Sequence, residues 1–281
     1  MKILMTGATG FIGSHLKVAL EDEGHEVRTV KTKNLCYGEE SKAIIEYKEI
    51  SDFDFDTVIH LGGLSTADNN GLHYELNVES TNTLLRYINF RGIIPRFIYA
   101  STINVYGPWY GECFCTTDLP EPETFYAYTK LMAEQLVNSY TDMKKIYGIN
   151  MRLCPIVGKG MTHGVFNDIM NSVLDPAIDT ITLRSAPLSV YRPFLFIKDF
   201  CDVVITYLNT EKLGIVNVGP NDCISLERVV EIIGNVSGIY KPIKYQATGE
   251  KFSKMRIADS VITRHSSNSI SRAVEQILEK E

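Results

Sequence analysis

Thr6-Gly7-Ala8-Thr9-Gly10-Phe11-Ile12-Gly13 is the stretch on which the reading of this chain turns. It follows Lys2-Ile-Leu-Met-Thr6, a short apolar run of strand type. It leads into Phe11 to Glu23, where Ile12, Leu16, Ala19 and Leu20 recur at helical spacing. A turn this tight between strand and helix needs glycine, and side chains at those positions would block the approach of a diphosphate. The helix behind the turn presents unpaired backbone N–H groups and the positive end of its dipole. The spacing is GxxGxxG rather than GxGxxG, and its place between a first strand and a helix points to dinucleotide binding.

Outward from that turn the pattern alternates. Glu26 to Lys31 reads as a second strand, Tyr47 to Ile50 as a short third and Thr57 to Leu61 as the next. Val78 to Asn89 reads as a helix, Arg96 to Ala100 as a strand, Thr124 to Tyr147 as a long helix and Met151 to Cys154 as a strand. Strands separated by helix-length segments imply parallel pairing with helices on both faces. Beyond Pro155 the pattern loosens. It resumes with a helix at Phe166 to Leu174, a strand at Arg192 to Ile197, a helix at Phe200 to Leu208 and a strand at Gly214 to Val218. Ser225 is a cap for one more helix, with Arg228 at its N3 position. The expected architecture is α/β, a doubly wound parallel sheet with a smaller C-terminal lobe. Residues 1–155 plus about 191–219 form the nucleotide fold, and about 156–190 and 220–281 form the lobe.

Charge and composition remove other classes. The 281 residues carry 28 Lys and Arg against 34 Asp and Glu, a net charge of -6. That balance lacks the broad basic surface a general nucleic-acid binder needs. No apolar run approaches the ~20 residues of a membrane helix, so no membrane association is expected. The opening MKILMTGATG is too short in apolar residues for a signal-peptide core, and a cytoplasmic protein is the expectation. Of the six cysteines only Cys113 and Cys115 are closely spaced, and no second pair or nearby His completes a zinc set. No metal is expected.

A second motif, Tyr126-Ala-Tyr-Thr-Lys130, falls inside the long helix. Residues four apart share a helix face, so the phenol and the ammonium serve one site. A phenol of pKa ~10 is a poor acid–base group at neutral pH, and an adjacent cation lowers it.

TGATGFIG at the start, HLGG at 60–63, NV at 77–78, YASTINVYG at 99–107, YAYTK at 126–130 and RPFLFIKD at 192–199 occur in that order. With these motifs the chain resembles the extended short-chain dehydrogenases/reductases, the NAD(P)-dependent nucleotide-sugar epimerases, dehydratases and reductases, from Met1 to about Asp259. The resemblance implies a Rossmann fold whose small lobe binds substrate. By it Gly7, Gly10, Phe11, Ile12 and Gly13 hold the cofactor diphosphate. Glu49 and Ile50 lie beside the adenine, and Leu61, Gly62 and Gly63 line the dinucleotide. Thr102 is implied as the catalytic hydroxyl, Tyr126 as the acid–base and Lys130 as its partner, which also holds the nicotinamide ribose. Arg192 is implied as a contact of the substrate diphosphate. The resemblance also implies a homodimer built on the helices near 77–91 and 124–147.

Departures from the family pattern narrow the function. At the end of the second strand, where NAD-binding members place an acid, stands Lys31, with Arg28 and Lys33 close by. A cation pairs with a 2′-phosphate, so NADP is preferred over NAD. The dehydratases follow the catalytic Thr with Asp-Glu; here Ile103 and Asn104 follow Thr102, which argues against dehydration and leaves Asn104 as a substrate contact. Pro155 stands where members commonly place a substrate-contacting Asn, beside the cofactor. Lys251, Lys254 and Arg256 replace the usual Arg-x-Gly-Asp. Tyr106, Trp109 and Tyr110 are either stacking groups for a base or sugar, or packing. The expected function is NADPH-dependent reduction of a keto group on a nucleotide-linked (4-keto-6-deoxy) sugar. The alternatives are an NAD-dependent nucleotide-sugar 4-epimerase and, in another class, a non-catalytic dinucleotide-binding sensor or scaffold.

Overall fold

The computed structural model describes residues 1–31, 52–65, 72–107, 110–246, 253–260, 262 and 264–279, with backbone alone at 110–112. The expected strand at Tyr47 to Ile50 lies outside the described residues, as do Lys33, Glu49, Ile50, Trp109 and Lys251.

Strand β1 (Lys2–Thr6) buries Ile3, Leu4 and Met5 completely, as a strand with parallel neighbours on both edges must. The glycine turn leads into α1 (Phe11–Asp22), which sets Leu16 and Leu20 into the core. Strand β2 (Glu26–Val30) then runs parallel to β1, Lys2 opposite Glu26 and Thr6 opposite Val30. Strand β3 (Thr57–His60) takes the other edge of β1, Thr6 opposite His60. The connections leaving β1 therefore diverge at its C-terminal end, the switch point at which open α/β sheets form their binding crevice.

A turn at Leu72–Tyr74, a π-helical segment at Glu75–Glu79 and α2 (Ser80–Arg91) follow. Next come β4 (Arg96–Thr102), parallel to β3, the 3₁₀ turn Ile103–Tyr106 and β5 (Tyr110–Phe114). Helix α3 (Phe125–Asp142) starts at Thr124, whose hydroxyl accepts the Ala127 N–H at 3.2 Å. It stops short of the expected Tyr147, because Lys144 takes a left-handed φ of 57° and the chain turns into β6 (Tyr147–Leu153).

Then come β7 (Ile156–Val157), α4 (Val165–Leu174), β8 (Ile181–Leu183), β9 (Val190–Arg192) and β10 (Leu195–Phe196). The single strand expected at 192–197 is thus divided. Pro193 has no N–H to continue the ladder, and α5 (Ile197–Tyr207) begins earlier than the expected Phe200. Strand β11 (Gly214–Val218), β12 (Ile224–Ser225), α6 (Leu226–Ser237), β13 (Ile243–Tyr245), β14 (Ser253–Ile257) and α7 (Ser266–Leu278) complete the order. Ser225 caps α6 as expected, accepting the Arg228 N–H at 3.2 Å.

The chain divides into two compact units. The first is Met1–Gly107, Pro120–Arg152 and Cys201–Val216. It holds a six-stranded sheet in the order β11-β6-β4-β3-β1-β2, with α/β layering of the Rossmann type. One part of its core packs Phe53, Phe55, Leu84, Leu85, Ile88, Phe97, Ala133 and Val137 between the sheet and α2 and α3. The second unit is Pro108–Leu119, Leu153–Phe200 and Asn217–Glu281. It holds a four-stranded sheet in the order β12-β9-β14-β5. There Arg272 and Arg264 both donate to the buried Asp199, Arg272 at 2.6 and 2.7 Å. The segment 191–200, assigned to the nucleotide fold from sequence, falls in this second unit.

Candidate active site

The three glycines of the opening turn have separate reasons to be glycine. Gly7 has φ 72°, and a Cβ there would lie 2.7 Å from the Gly62 nitrogen at the end of β3. A Cβ on Gly13 would lie 2.0 Å from the Gly7 oxygen, so the helix could not approach the turn. Gly10 meets nothing closer than 3.4 Å, and that space is open to solvent. Gly7 and Gly13 are therefore needed to keep the turn folded, and a side chain on Gly10 would enter open space. Gly10 is also the N-cap of α1 and has no side chain with which to cap the first-turn amides. Those amides have no partner inside the helix and face the place where an anion would sit.

Beside the turn a buried polar chain joins β1, β3 and α2. The Thr6 hydroxyl accepts the Gly62 N–H at 3.0 Å and lies 2.6 Å from His60 Nδ1. His60 Nε2 lies 2.9 Å from the Thr81 hydroxyl. Burial, with the Lys130 charge adding to it, pushes His60 down to about 3, so the ring is neutral. The π-helical segment turns Asn77 toward the loop after β3. Its amide accepts from the Leu64 N–H at 2.8 Å and donates to the Thr129 hydroxyl at 2.9 Å. A Cβ on Gly63 would lie 2.5 Å from Asn77 Oδ1 and 3.7 Å from Lys130 Nζ. Leu61, Gly62 and Gly63 therefore run from the glycine turn toward the lysine.

Thr102, Tyr126 and Lys130 come together in the first unit. The Thr102 hydroxyl is near enough to the Tyr126 phenol to favour its ionised form, and it accepts the Asn104 N–H at 3.2 Å. Asn104 thereby shapes the turn that holds Thr102, and Ile103 is buried at its side. The expected acidification of Tyr126 by Lys130 is not found. Burial pushes the phenol up to about 12, with the Thr102 hydroxyl opposing. Lys130 is itself held down to about 7 by burial, against the opposing pull of Glu134. A lysine whose own charge is disfavoured is a weak lever on its neighbour. Its Nζ lies 4.4 Å from the centroid of the Tyr99 ring, and among the described residues no oxygen accepts from it.

Glu134, Arg152, His60 and Asn77 belong to this cluster and were not singled out from sequence as site residues. Glu134 was within reach, since 126, 130 and 134 are successive positions on one helix face. The other three come from separate elements: His60 and Asn77 open the HLGG and NV motifs, which gave them no role by themselves, and Arg152 lies in none of the motifs. Tyr106 packs under the Arg152 guanidinium, 4.6 Å from centroid to carbon, and is 1% exposed, so it is a packing group.

The remaining expected residues lie elsewhere. Lys31 is exposed immediately after β2, whereas Arg28 pairs with Asp52 at 2.7 Å and stacks on Phe53. Pro155 and Arg192 lie in the second unit. The Pro155 carbonyl accepts the Leu195 N–H at 3.0 Å, and Arg192 donates to the Ser253 hydroxyl at 2.9 Å. In the same unit Lys254 and Arg256 line a cleft of about 380 Å³ with Asp222, Cys223, Arg264 and His265.

A dinucleotide fits the first unit on its own residues: the open face at Gly10, the N-terminus of α1 with no cap from its N-cap residue, and a buried lysine with no acceptor among the described residues. Such a fold and cluster define an oxidoreductase-type nucleotide site. The family model of the NAD dependent epimerase/dehydratase family matches residues 3–219, and the chain belongs to that family of enzymes. It is 26% identical over 258 residues to a dTDP-6-deoxy-L-talose 4-dehydrogenase (NAD(P)(+)) of Kitasatospora kifunensis, covering 85% of this chain and 80% of that protein. It is 28% identical over 272 residues to an uncharacterized UDP-glucose epimerase, YtcB, of Bacillus subtilis, covering 85% and 83%. In fold it is similar to a Thermus thermophilus UDP-glucose 4-epimerase in complex with NAD. The TM-score is 0.82 at 20% identity, over 99% of both chains. Among the described residues no helix is long and apolar enough to cross a membrane.

Proposed function

We propose that this chain reduces the keto group of a nucleotide-linked 4-keto-6-deoxy sugar with NADPH, Tyr126 supplying the proton. The observation that carries the reading is the Thr102–Tyr126 pair, protonated at neutral pH, with Ile103 and Asn104 where a dehydratase would need acid–base groups. A phenol held up at about 12 is a proton donor, which is what ketone reduction asks of it. The relative named for 4-dehydrogenation of a dTDP-6-deoxy sugar with NAD(P) supports a substrate of that class.

In this reading Gly7, Gly10, Phe11, Ile12 and Gly13 hold the cofactor diphosphate, and Leu61, Gly62, Gly63 and Pro155 flank it. Lys31 pairs with the 2′-phosphate, and Lys130 and Tyr126 hold the nicotinamide end. The bound nicotinamide supplies a hydride to the sugar carbon. Tyr126 gives its proton to the keto oxygen as that oxygen gains charge. Thr102 donates to the same oxygen and orients it, and Lys130 stands one turn further along the same helix face. Arg192 and Asn104 contact the substrate, with the second unit as the substrate lobe. The outward apolar residues Tyr128 and Met132, four apart on α3, together with Phe90 on α2, support a homodimer through these helices.

The test follows NADPH oxidation with a dTDP-linked 4-keto-6-deoxy sugar. Stoichiometric oxidation is expected, NADPH binding more tightly than NADH. The Tyr126→Phe variant loses about 10²–10⁴-fold in kcat while still binding dinucleotide. Interconversion of UDP-glucose and UDP-galactose without added cofactor would establish the epimerase instead. Dinucleotide binding with no turnover of either sugar would leave a sensor.

A further inference from the structure

Helix α3 carries a third group on the face that holds Tyr126 and Lys130. Glu134 is wholly buried, and both of its oxygens are occupied. Oε1 accepts from the Ser101 hydroxyl and from Arg152 Nε at 3.1 Å; Oε2 accepts from Arg152 Nη2 at 2.8 Å and Nε at 3.3 Å. Ser101 directly precedes Thr102 on β4. Arg152, on β6 and 1% exposed, stacks on Tyr106, the last residue of the 3₁₀ turn that follows Thr102. Thr102 is therefore bracketed in sequence by two residues whose contacts lead to one carboxylate on the helix of Tyr126.

Stability alone does not account for such a pair. Removing two ions from water costs several kcal/mol each, and a well-packed apolar substitute is often as stable or more so. What the pair does supply is a fixed distance between β4, β6 and α3 at the place where Thr102 meets Tyr126.

We propose that Glu134 is a positioning residue for this active site: clamped by Arg152 and Ser101, it fixes Thr102 against Tyr126 and sets its carboxylate one helical turn from Lys130. The proposal rests on the catalytic roles given above to Thr102, Tyr126 and Lys130. The groups facing Lys130 among the described residues are Tyr126 and Glu134 on its own helix, His60 on β3 and Tyr99 on β4. Arg152 on β6 reaches it through Glu134. His60 is neutral and the two phenols are protonated, so Glu134 is the opposing charge.

The experiment compares Glu134→Gln, Glu134→Gln/Arg152→Met and Ser101→Ala with the native chain. It reads kcat and KM for NADPH oxidation, thermal melting, and the Lys130 side-chain titration by NMR. Glu134→Gln is expected to lose about 10²-fold in kcat with little change in the KM for NADPH, as small misplacements of catalytic groups do. Lys130 then titrates about one pH unit lower for want of the opposing charge. The double variant recovers native melting but neither kcat nor the Lys130 titration, which separates positioning from folding. Ser101→Ala keeps both charges and loses about 10-fold in kcat with Lys130 unmoved. A double variant, or Ser101→Ala should the others not fold, with kcat within about threefold of native would overturn the proposal. Tyr126→Phe is measured alongside: if it turns over at the native rate, the catalytic assignment itself has failed.

Discussion

Gly13 and Gly10 sit three residues apart, and the structure predicts opposite consequences for the same substitution. At Gly13 an added Cβ meets backbone oxygen at 2.0 Å, so Gly13→Ala is expected to cost about 1–3 kcal/mol in urea unfolding and to lose dinucleotide affinity with it. At Gly10 the nearest atom is at 3.4 Å, so Gly10→Ala costs at most about 1 kcal/mol while still weakening dinucleotide binding in a fluorescence titration. Equal destabilisation by the two would refute the division of labour. The glycine spacing was legible in the sequence because a strand–turn–helix leaves a local imprint. The split in purpose was not, since Gly62 meets Gly7 from a strand far along the chain. The Tyr126–Lys130 pair was equally legible. The direction of its electrostatics was not, because burial is decided by residues far away in sequence.

Helix α3 shows where periodicity stops being informative. Apolar spacing carries on past Asp142, and nothing in Lys144-Lys145-Ile146 marks an end by composition. The helix closes with the Lys144 N–H donating to the Thr141 carbonyl at 2.8 Å and the Lys145 N–H to Tyr140 at 2.9 Å, a Schellman closure with lysine where glycine is usual. Lys144→Gly should therefore raise stability by about 0.5–1 kcal/mol, read as a higher melting temperature with unchanged kcat. A lower melting temperature would show that the lysine side chain does more there than tolerate its backbone. The division at Pro193 was within reach of the sequence, since proline cannot sit inside a paired ladder. The π-helical turn that aims Asn77 was not, because one added residue in a helix has no compositional mark.

At the level of the assembled protein, alternation along the first 155 residues was enough to predict the parallel sheet. Which edge strand closes it required the return at β11. The proposed dimer is tested by sedimentation: the native chain is expected to run as a dimer at micromolar concentration and Met132→Glu as a monomer. A monomeric native chain would remove the assignment. The composition of the first unit from three stretches of chain has a further result during synthesis. Its last strand lies at Gly214–Val218, so β6 remains an unpaired edge in every nascent chain shorter than that. That edge is almost wholly buried in the finished protein, with strand groups ready to pair with another chain. The whole of the second unit's middle stretch, Leu153–Phe200, is translated before the edge is covered. The ribosome therefore releases the six-stranded sheet of this protein in completed form only after much of the second unit has emerged.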